Sequence, residues 1–221
     1  VVRTPMGGKR GYGPTHSQSI EKYFLGMPQV RVLALHSLLS PAVVYDALLD
    51  GGDTPTLVIE NKLLYAFRLR SEVPEGFTME YSDEKYPTTR IRPTTDPDVT
   101  VFCYGGSLPD VETALIQAFD EEEITCEAVC PTQLCPLNIV PVLESVRATR
   151  RLIVVEEGPG FAALGAEVIA RLQESEPGLL QSVVRVSAPD HPIPSCGPLE
   201  RQLLPGPDTI LKAIARSVAH G

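Results

Sequence analysis

The chain has 221 residues, 43% of them hydrophobic, and no apolar run of membrane length, so it reads as a soluble globular protein of one large or two small domains. Its net charge of −9 is unevenly placed: residues 1–97 carry 11 Lys/Arg and 11 Asp/Glu, whereas residues 98–221 carry 8 and 17. An acidic second half argues against a nucleic-acid partner; it is either solvated surface or a face that steers a basic protein.

Val1 to Pro5 reads as the end of a strand, and Met6 to Arg10 as an open loop with the cations Lys9 and Arg10. The start has neither a signal nor a transit pattern and looks like a chain entered partway through a fold. Next comes Gly11-Tyr12-Gly13-Pro14-Thr15-His16-Ser17-Gln18-Ser19, a glycine- and proline-rich loop that brings one histidine to the start of a helix predicted over Gln18 to Phe24. Open parallel sheets place ligands at such strand ends. On residue chemistry alone, His16 has two readings. It hydrogen-bonds near a helix start, with Ser17 or Ser19 capping, or it is a ligand-facing acid/base whose ordinary pKa suits neutral pH.

Val30 to Leu35 predicts a strand, Pro41 to Leu49 a helix with proline in its first turn, and Thr56 to Glu60 a strand buried on both faces. Strand, helix, strand with short links is the parallel α/β pattern. From Arg68 to Pro97 the periodicity fails and prolines fall at 74, 87, 93 and 97, which predicts a long linker and a domain boundary. A second α/β unit follows. Strands are expected over Asp98–Tyr104, Thr125–Val129, Arg151–Val155 and Val183–Val186. Helices are expected over Pro109–Glu122, Ile139–Arg147, Gly165–Gln173 and Thr209–Ala219. Val111, Leu115, Ala118 and Phe119 mark the apolar stripe of the first of these helices.

Five cysteines, an odd number, point to a reducing compartment rather than a disulfide framework. Cys126, Cys130 and Cys135 match no zinc spacing and are read as packing residues. Gly105-Gly106 lacks the further glycines or lysine of a phosphate loop. Asp190-His191-Pro192 reads as a structural turn.

The loop residues 11–19, then Leu25-Gly26-Met27-Pro28, then Val58-Ile59-Glu60-Asn61-Lys62-Leu63-Leu64-Tyr65, are similar to the beta subunit of thiamine-dependent 2-oxoacid dehydrogenases. The His16-Ser17-Gln18-Ser19 form is closer to these enzymes than to transketolase or deoxyxylulose phosphate synthase. The second half resembles the transketolase C-terminal domain through Leu134-Cys135-Pro136-Leu137, Val154-Val155-Glu156-Glu157-Gly158, Gly165-Ala166-Glu167-Val168 and Leu199-Glu200. The implied fold is α/β: a partial thiamine pyrimidine-binding domain with a parallel sheet (1–67), a linker (68–97) and a transketolase C-terminal-like domain (98–221).

The implied chemistry is oxidative decarboxylation of a 2-oxo acid with acyl transfer to lipoyl. His16 is the catalytic imidazole by this resemblance, and Tyr12, Gly13, Ser17 and Gln18 shape its loop. Thiamine diphosphate and magnesium belong to the complete assembly and are not expected to bind this chain alone, since the family's cofactor glutamate matches no residue present. No cofactor-binding or metal residue is assigned, although a monovalent cation near the Asp50–Pro55 turn is conceivable. The implied partners are an alpha-type subunit carrying the diphosphate site, a second copy of the chain and a lipoyl acyltransferase core, with no nucleic acid and no membrane. The implied compartment is the cytoplasm, or the mitochondrial matrix in a eukaryote. The family usually has Asp-Leu-Arg-Thr-Leu from the position of Cys130; here Cys130 and Thr132 replace the acid and the arginine. Two alternatives stay open. One is a non-catalytic dimerisation or docking module using the acidic half. The other is a split transketolase or deoxyxylulose phosphate synthase-like protein using Lys9 and Arg10 for a substrate phosphate.

Overall fold

Two sheets organise the chain, and each borrows a piece from the other half of the sequence. The computed structural model describes residues 1–50 and 52–219. The first sheet runs β1 (Val2–Met6), β3 (Thr56–Asn61), β2 (Arg31–Ala34), β8 (Gln133–Cys135); the first three strands are parallel and β8 is antiparallel to β2. All six residues of β3 are buried, as a central parallel strand covered on both faces requires. Helix α2 (Pro41–Leu49) packs Val44 against Leu33 and Val58 on one of those faces. Gly51, within the turn considered for a monovalent cation, lies outside the described residues.

The second sheet has the order β10 (Ser182–Ala188), β9 (Arg151–Pro159), β6 (Val99–Phe102), β7 (Cys126–Pro131), β5 (Thr88–Pro93), β4 (Phe77–Tyr81). Its first four strands are parallel, and β5 and β4 add antiparallel at one side. Helices α3 (Leu108–Glu122), α4 (Val140–Thr149), α5 (Leu164–Ser175) and α7 (Pro207–Ala219) cover it. Leu108, Val111, Ala114, Leu115 and Ala118 are the buried stripe of α3, whereas Phe119 sits at the stripe's margin and is exposed.

Several elements differ from the sequence reading. Residues 68–97, read as a linker, hold the paired strands β4 and β5. Their prolines bound the strands: Pro87 precedes β5 and Pro93 is its last residue. Arg90 and Arg92 hid the alternation because the residue between them, Ile91, is the buried one. The helix expected over Gln18–Phe24 is only a 3-10 turn at Glu21–Tyr23, preceded by the four-residue helix α1 (Gly13–His16). Two short elements, β8 and helix α6 (Gly197–Leu203), have no expectation behind them.

The halves are locked by groups near β8. The Ala34 amide donates to the Thr132 carbonyl at 2.8 Å, and the Thr132 hydroxyl donates to the Pro87 carbonyl at 2.7 Å. His36, buried after β2, meets the Thr89 hydroxyl at 3.3 Å. Burial depresses its pKa to about 4, so it is a neutral packing histidine. Cys130 is buried as well, next to Cys103 just past the end of the neighbouring strand β6.

Candidate functional site

The histidine loop leaves β1 and closes on itself, with the Gly7 amide donating to the Gln18 carbonyl at 3.4 Å. Gly13 begins α1 at φ +68, and a side chain there would overlap Ser195, so glycine is required twice over. Pro14 sits in the first turn of α1 and His16 ends it, exposed to solvent. The histidine thus stands at the end of a helical turn, not at the start of a helix. Neither serine caps a helix start: Ser17 is buried with its hydroxyl unbonded, and the Ser19 hydroxyl donates to Glu157 at 2.7 Å. Gln18 turns back and donates its side-chain amide to the Pro14 carbonyl.

A small cationic and aromatic group gathers at the backbone of this loop. Lys62 donates its ammonium to the His16 carbonyl. The exposed ring of Tyr12 has the Lys62 ammonium at 5.4 Å and the Arg10 guanidinium at 5.5 Å from its centroid. Lys9, its neighbour, is instead paired with Asp110 of α3.

Carboxylates from the second half hold this loop from beneath. The Gly8 amide donates to Glu157 Oε1 at 2.9 Å, and the Gly11 amide to Glu200 of α6. The loop from Pro194 to Gly197 packs on Gly11 and Gly13, which places the Asp190-His191-Pro192 turn at the rim, exposed. Gly105-Gly106 serves the same contact. Any side chain on Gly106 would overlap the Asn61 amide, so this pair is a close approach between the two sheets. Gly106→Ala is expected to lower stability by about 1–3 kcal/mol through overpacking, read from a urea midpoint, with a near-zero change arguing against that approach.

Behind the loop lies an acidic group to which the sequence reading gave no role. The Tyr104 hydroxyl donates to Glu21 Oε1 at 2.8 Å and approaches Glu156 Oε1 at 3.4 Å; the Gly165 amide also donates to Glu156 Oε1, at 2.9 Å. Burial pushes the Glu21 carboxyl up to about 7, helped by the charges of Glu157 and Glu156. Burial likewise raises Glu156 and moves the Tyr104 phenol well above its usual range. The available signal was Glu156-Glu157 continuing the apolar strand Leu152–Val155: acids in line with a buried strand must find partners inside.

The remaining candidates stand apart. Cys126 and Cys130 are buried core residues, and the half-buried Cys135 donates its thiol to the Leu25 carbonyl at 3.3 Å. Among the described residues, no group of three or more His, Cys, Asp or Glu is placed to hold a metal ion. No helix among them is long and apolar enough to cross a membrane. A cavity of about 300 Å³ between α2 and the segment after β3 is lined by Arg3, His36, Tyr45, Glu60, Tyr65 and Phe67, and does not include His16.

The architecture defines an α/β protein whose first sheet carries a histidine loop clamped by a second, mostly parallel sheet domain. Residues 89–210, more than half of the chain, match the model of the transketolase C-terminal domain, and the chain belongs to that family. It is 31% identical over 228 aligned residues to the pyruvate dehydrogenase E1 component subunit beta of Leifsonia xyli subsp. xyli, covering all of this chain and 63% of that protein. It is 29% identical to the subunit of the same name from Gracilaria tenuistipitata var. liui, covering 97% of this chain and 64% of that one. The chain therefore spans just under two thirds of the length of these relatives. Among solved structures, a split-gene transketolase described as an inactive beta4 tetramer superposes with a TM-score of 0.64 at 16% identity, over 97% of this chain and 65% of that one. That likeness concerns the fold alone.

Proposed function

We propose that the chain is the beta-type portion of a thiamine-dependent 2-oxoacid dehydrogenase, and that His16 is its active-site imidazole. The observation that carries this reading is the similarity to pyruvate dehydrogenase E1 beta subunits along the whole chain, the histidine loop included. The geometry supports it: His16 is exposed on a loop whose base is tied down, so its ring is available to hold or pass a proton at a fixed place. Arg10 and Lys62, both over the ring of Tyr12 on the same loop, suit an anionic 2-oxo acid. Gly13 lets the turn approach Ser195, Gln18 closes it, Ser17 fills the interior beneath it, and Tyr12 offers an exposed ring. On this reading residues 1–67 belong to the pyrimidine-binding domain and 98–221 to the transketolase C-terminal-like domain, with the strands of 68–97 completing the latter's sheet.

Thiamine diphosphate with magnesium would supply the carbanion chemistry of the assembly. On this reading the diphosphate and its metal belong to an alpha-type partner. The other partners of the reading are a second copy of the chain and a lipoyl acyltransferase core, in the cytoplasm or the mitochondrial matrix. The test is turnover of pyruvate by the chain reconstituted with an alpha-type subunit. His16→Ala is expected to lower kcat about 10²-fold; unchanged turnover removes His16 from the chemistry, and activity on sugar phosphates alone favours a split transketolase. A second reading, a dimerisation module, is favoured by Tyr65, Phe67 and Leu69 standing exposed in one short segment.

A further inference from the structure

Glu157 is the last acid of the Glu156-Glu157 pair near the end of β9, half-buried where the two sheets meet. Its two oxygens reach three different segments. Oε1 accepts the Gly8 amide at 2.9 Å, just before the histidine loop, and the Ser19 hydroxyl at 2.7 Å, at the loop's last residue. Oε2 accepts the Asn61 side-chain amide at 3.2 Å. Asn61 in turn accepts the Leu63 amide at 3.0 Å, which fixes the corner carrying Lys62, and Lys62 bonds the His16 carbonyl. The entry to the loop, its exit and its lateral support thus converge on one carboxylate. Ser19 and Asn61 are both buried, so each arm of this network is shielded from competing water.

We propose that Glu157 is the positioning residue of the His16 loop, acting through Gly8, Ser19 and Asn61. The proposal rests on the reading of His16 as the working imidazole, and it assigns to the second half of the chain a part in placing a group on the first. It also separates Glu157 from Glu156, whose hydrogen bonds and ion pair go to Tyr104, Gly165 and Arg185 instead of to the three loop segments.

Substitution discriminates the arms by chemistry. A glutamine keeps one oxygen for Gly8 and Ser19 but turns an NH2 group toward the Asn61 amide, donor against donor. An alanine removes all three bonds. Amide hydrogen exchange on the chain and pyruvate turnover in the alpha-complemented assembly are measured for both. In Glu157→Ala, exchange at Gly8 is expected to accelerate about tenfold or more while exchange in β6 is unchanged. In the assembly, kcat is expected to fall about tenfold with KM within about twofold, and Glu157→Gln to lie between this variant and wild type. Unchanged Gly8 exchange overturns the proposal, and so does accelerated exchange with full kcat. If alanine prevents folding, the Gln variant decides by the same criteria, with exchange read at Leu63 beside the arm it breaks. If His16→Ala itself retains full turnover, the functional reading fails, and loop exchange alone decides whether Glu157 holds the loop.

Discussion

Replacing Arg90 with alanine is expected to cost about 3 kcal/mol of folding stability. Its partner, Glu127 on β7, is 1% exposed and accepts the Arg90 Nε at 2.7 Å. The other oxygen of Glu127 accepts the Ser145 hydroxyl of α4 at 2.8 Å, and Ser145 and Thr149 both bond Thr100 of β6. The carboxylate is therefore the centre of a buried polar network joining β5, β6, β7 and α4. Removing the arginine leaves that charge with Arg92, 3.5 Å away and 40% exposed, as its nearest cation. Losing one partner of a buried ion pair costs about 3–5 kcal/mol, and Arg92 offsets part of it, which sets the expectation at the low end. A urea midpoint measures the loss. The double variant with Glu127→Gln should recover about half of it, since the uncompensated charge is then gone. A loss under about 1 kcal/mol in Arg90→Ala would mean that Ile91 and the strand ladder dock β5 without the ion pair.

The same residues explain what the sequence concealed. The parallel strands were legible because Val32–Ala34, Leu57–Ile59 and Leu152–Val155 are continuous apolar runs, and Val99–Phe102 one broken only by Thr100, with no solvated face. Helix α2 was legible from Pro41, and the stripe of α3 from its spacing. Strand β5 was not, because the partner of its Arg90 lies 37 positions away, and a local pattern cannot contain that partner. Strand β8 is three residues long and belongs to the sheet of the other half, so no local reading would assign it. In the candidate site, the position of His16 on a glycine-rich loop was readable. What was not readable is the clamp, since Glu157 and Glu200 are 149 and 189 residues from the amides they bind. The helix expected over 18–24 failed for a related reason. Ser19 and Glu21 spend their side chains on Glu157 and Tyr104, and the buried contacts set the backbone there instead of helix periodicity.

These contacts also recast the acidity of residues 98–221. Asp110, Glu112, Glu127, Glu156, Glu157 and Glu200 each pair with a cation or donor group inside the molecule, whereas Glu121, Glu122 and Glu123 remain exposed. Part of the charge excess is thus internal: it fastens the first half of the chain to the second. High salt will weaken the exposed part and leave the buried ties largely unscreened.

Glu21 makes that attachment pH-dependent with a sign that can be checked. Its carboxyl is 2% exposed, and burial lifts its pKa from 4.5 to about 7 in the folded chain. Between those values the folded state holds a proton that the unfolded chain has released. The stability due to protonated Glu21 is therefore complete below pH 4.5 and is lost as pH rises through about 7. A shift of this size corresponds to about 3 kcal/mol across the window. The groups facing Glu21 do not all act in one direction: the charges of Glu156 and Glu157 raise its pKa, whereas the hydrogen bond from the Tyr104 hydroxyl lowers it and offsets part of the burial effect. Elsewhere the signs oppose. His36, depressed to about 4, stabilises above its ordinary value of 6.5 and loses that contribution as pH falls through about 4. Glu60, held at about 2 against its own burial by Arg3, Tyr45 and Tyr65, does the same at still lower pH. The total profile mixes these terms, so the decisive quantity is the difference between wild type and Glu21→Gln. The glutamine keeps an acceptor for Tyr104 and never ionises. Relative to wild type it should gain about 3 kcal/mol between pH 4.5 and pH 8, in urea unfolding at fixed salt. A difference that stays constant over that range would mean that Glu21 is ionised throughout and draws compensation from groups at the sheet interface that now count only as neighbours.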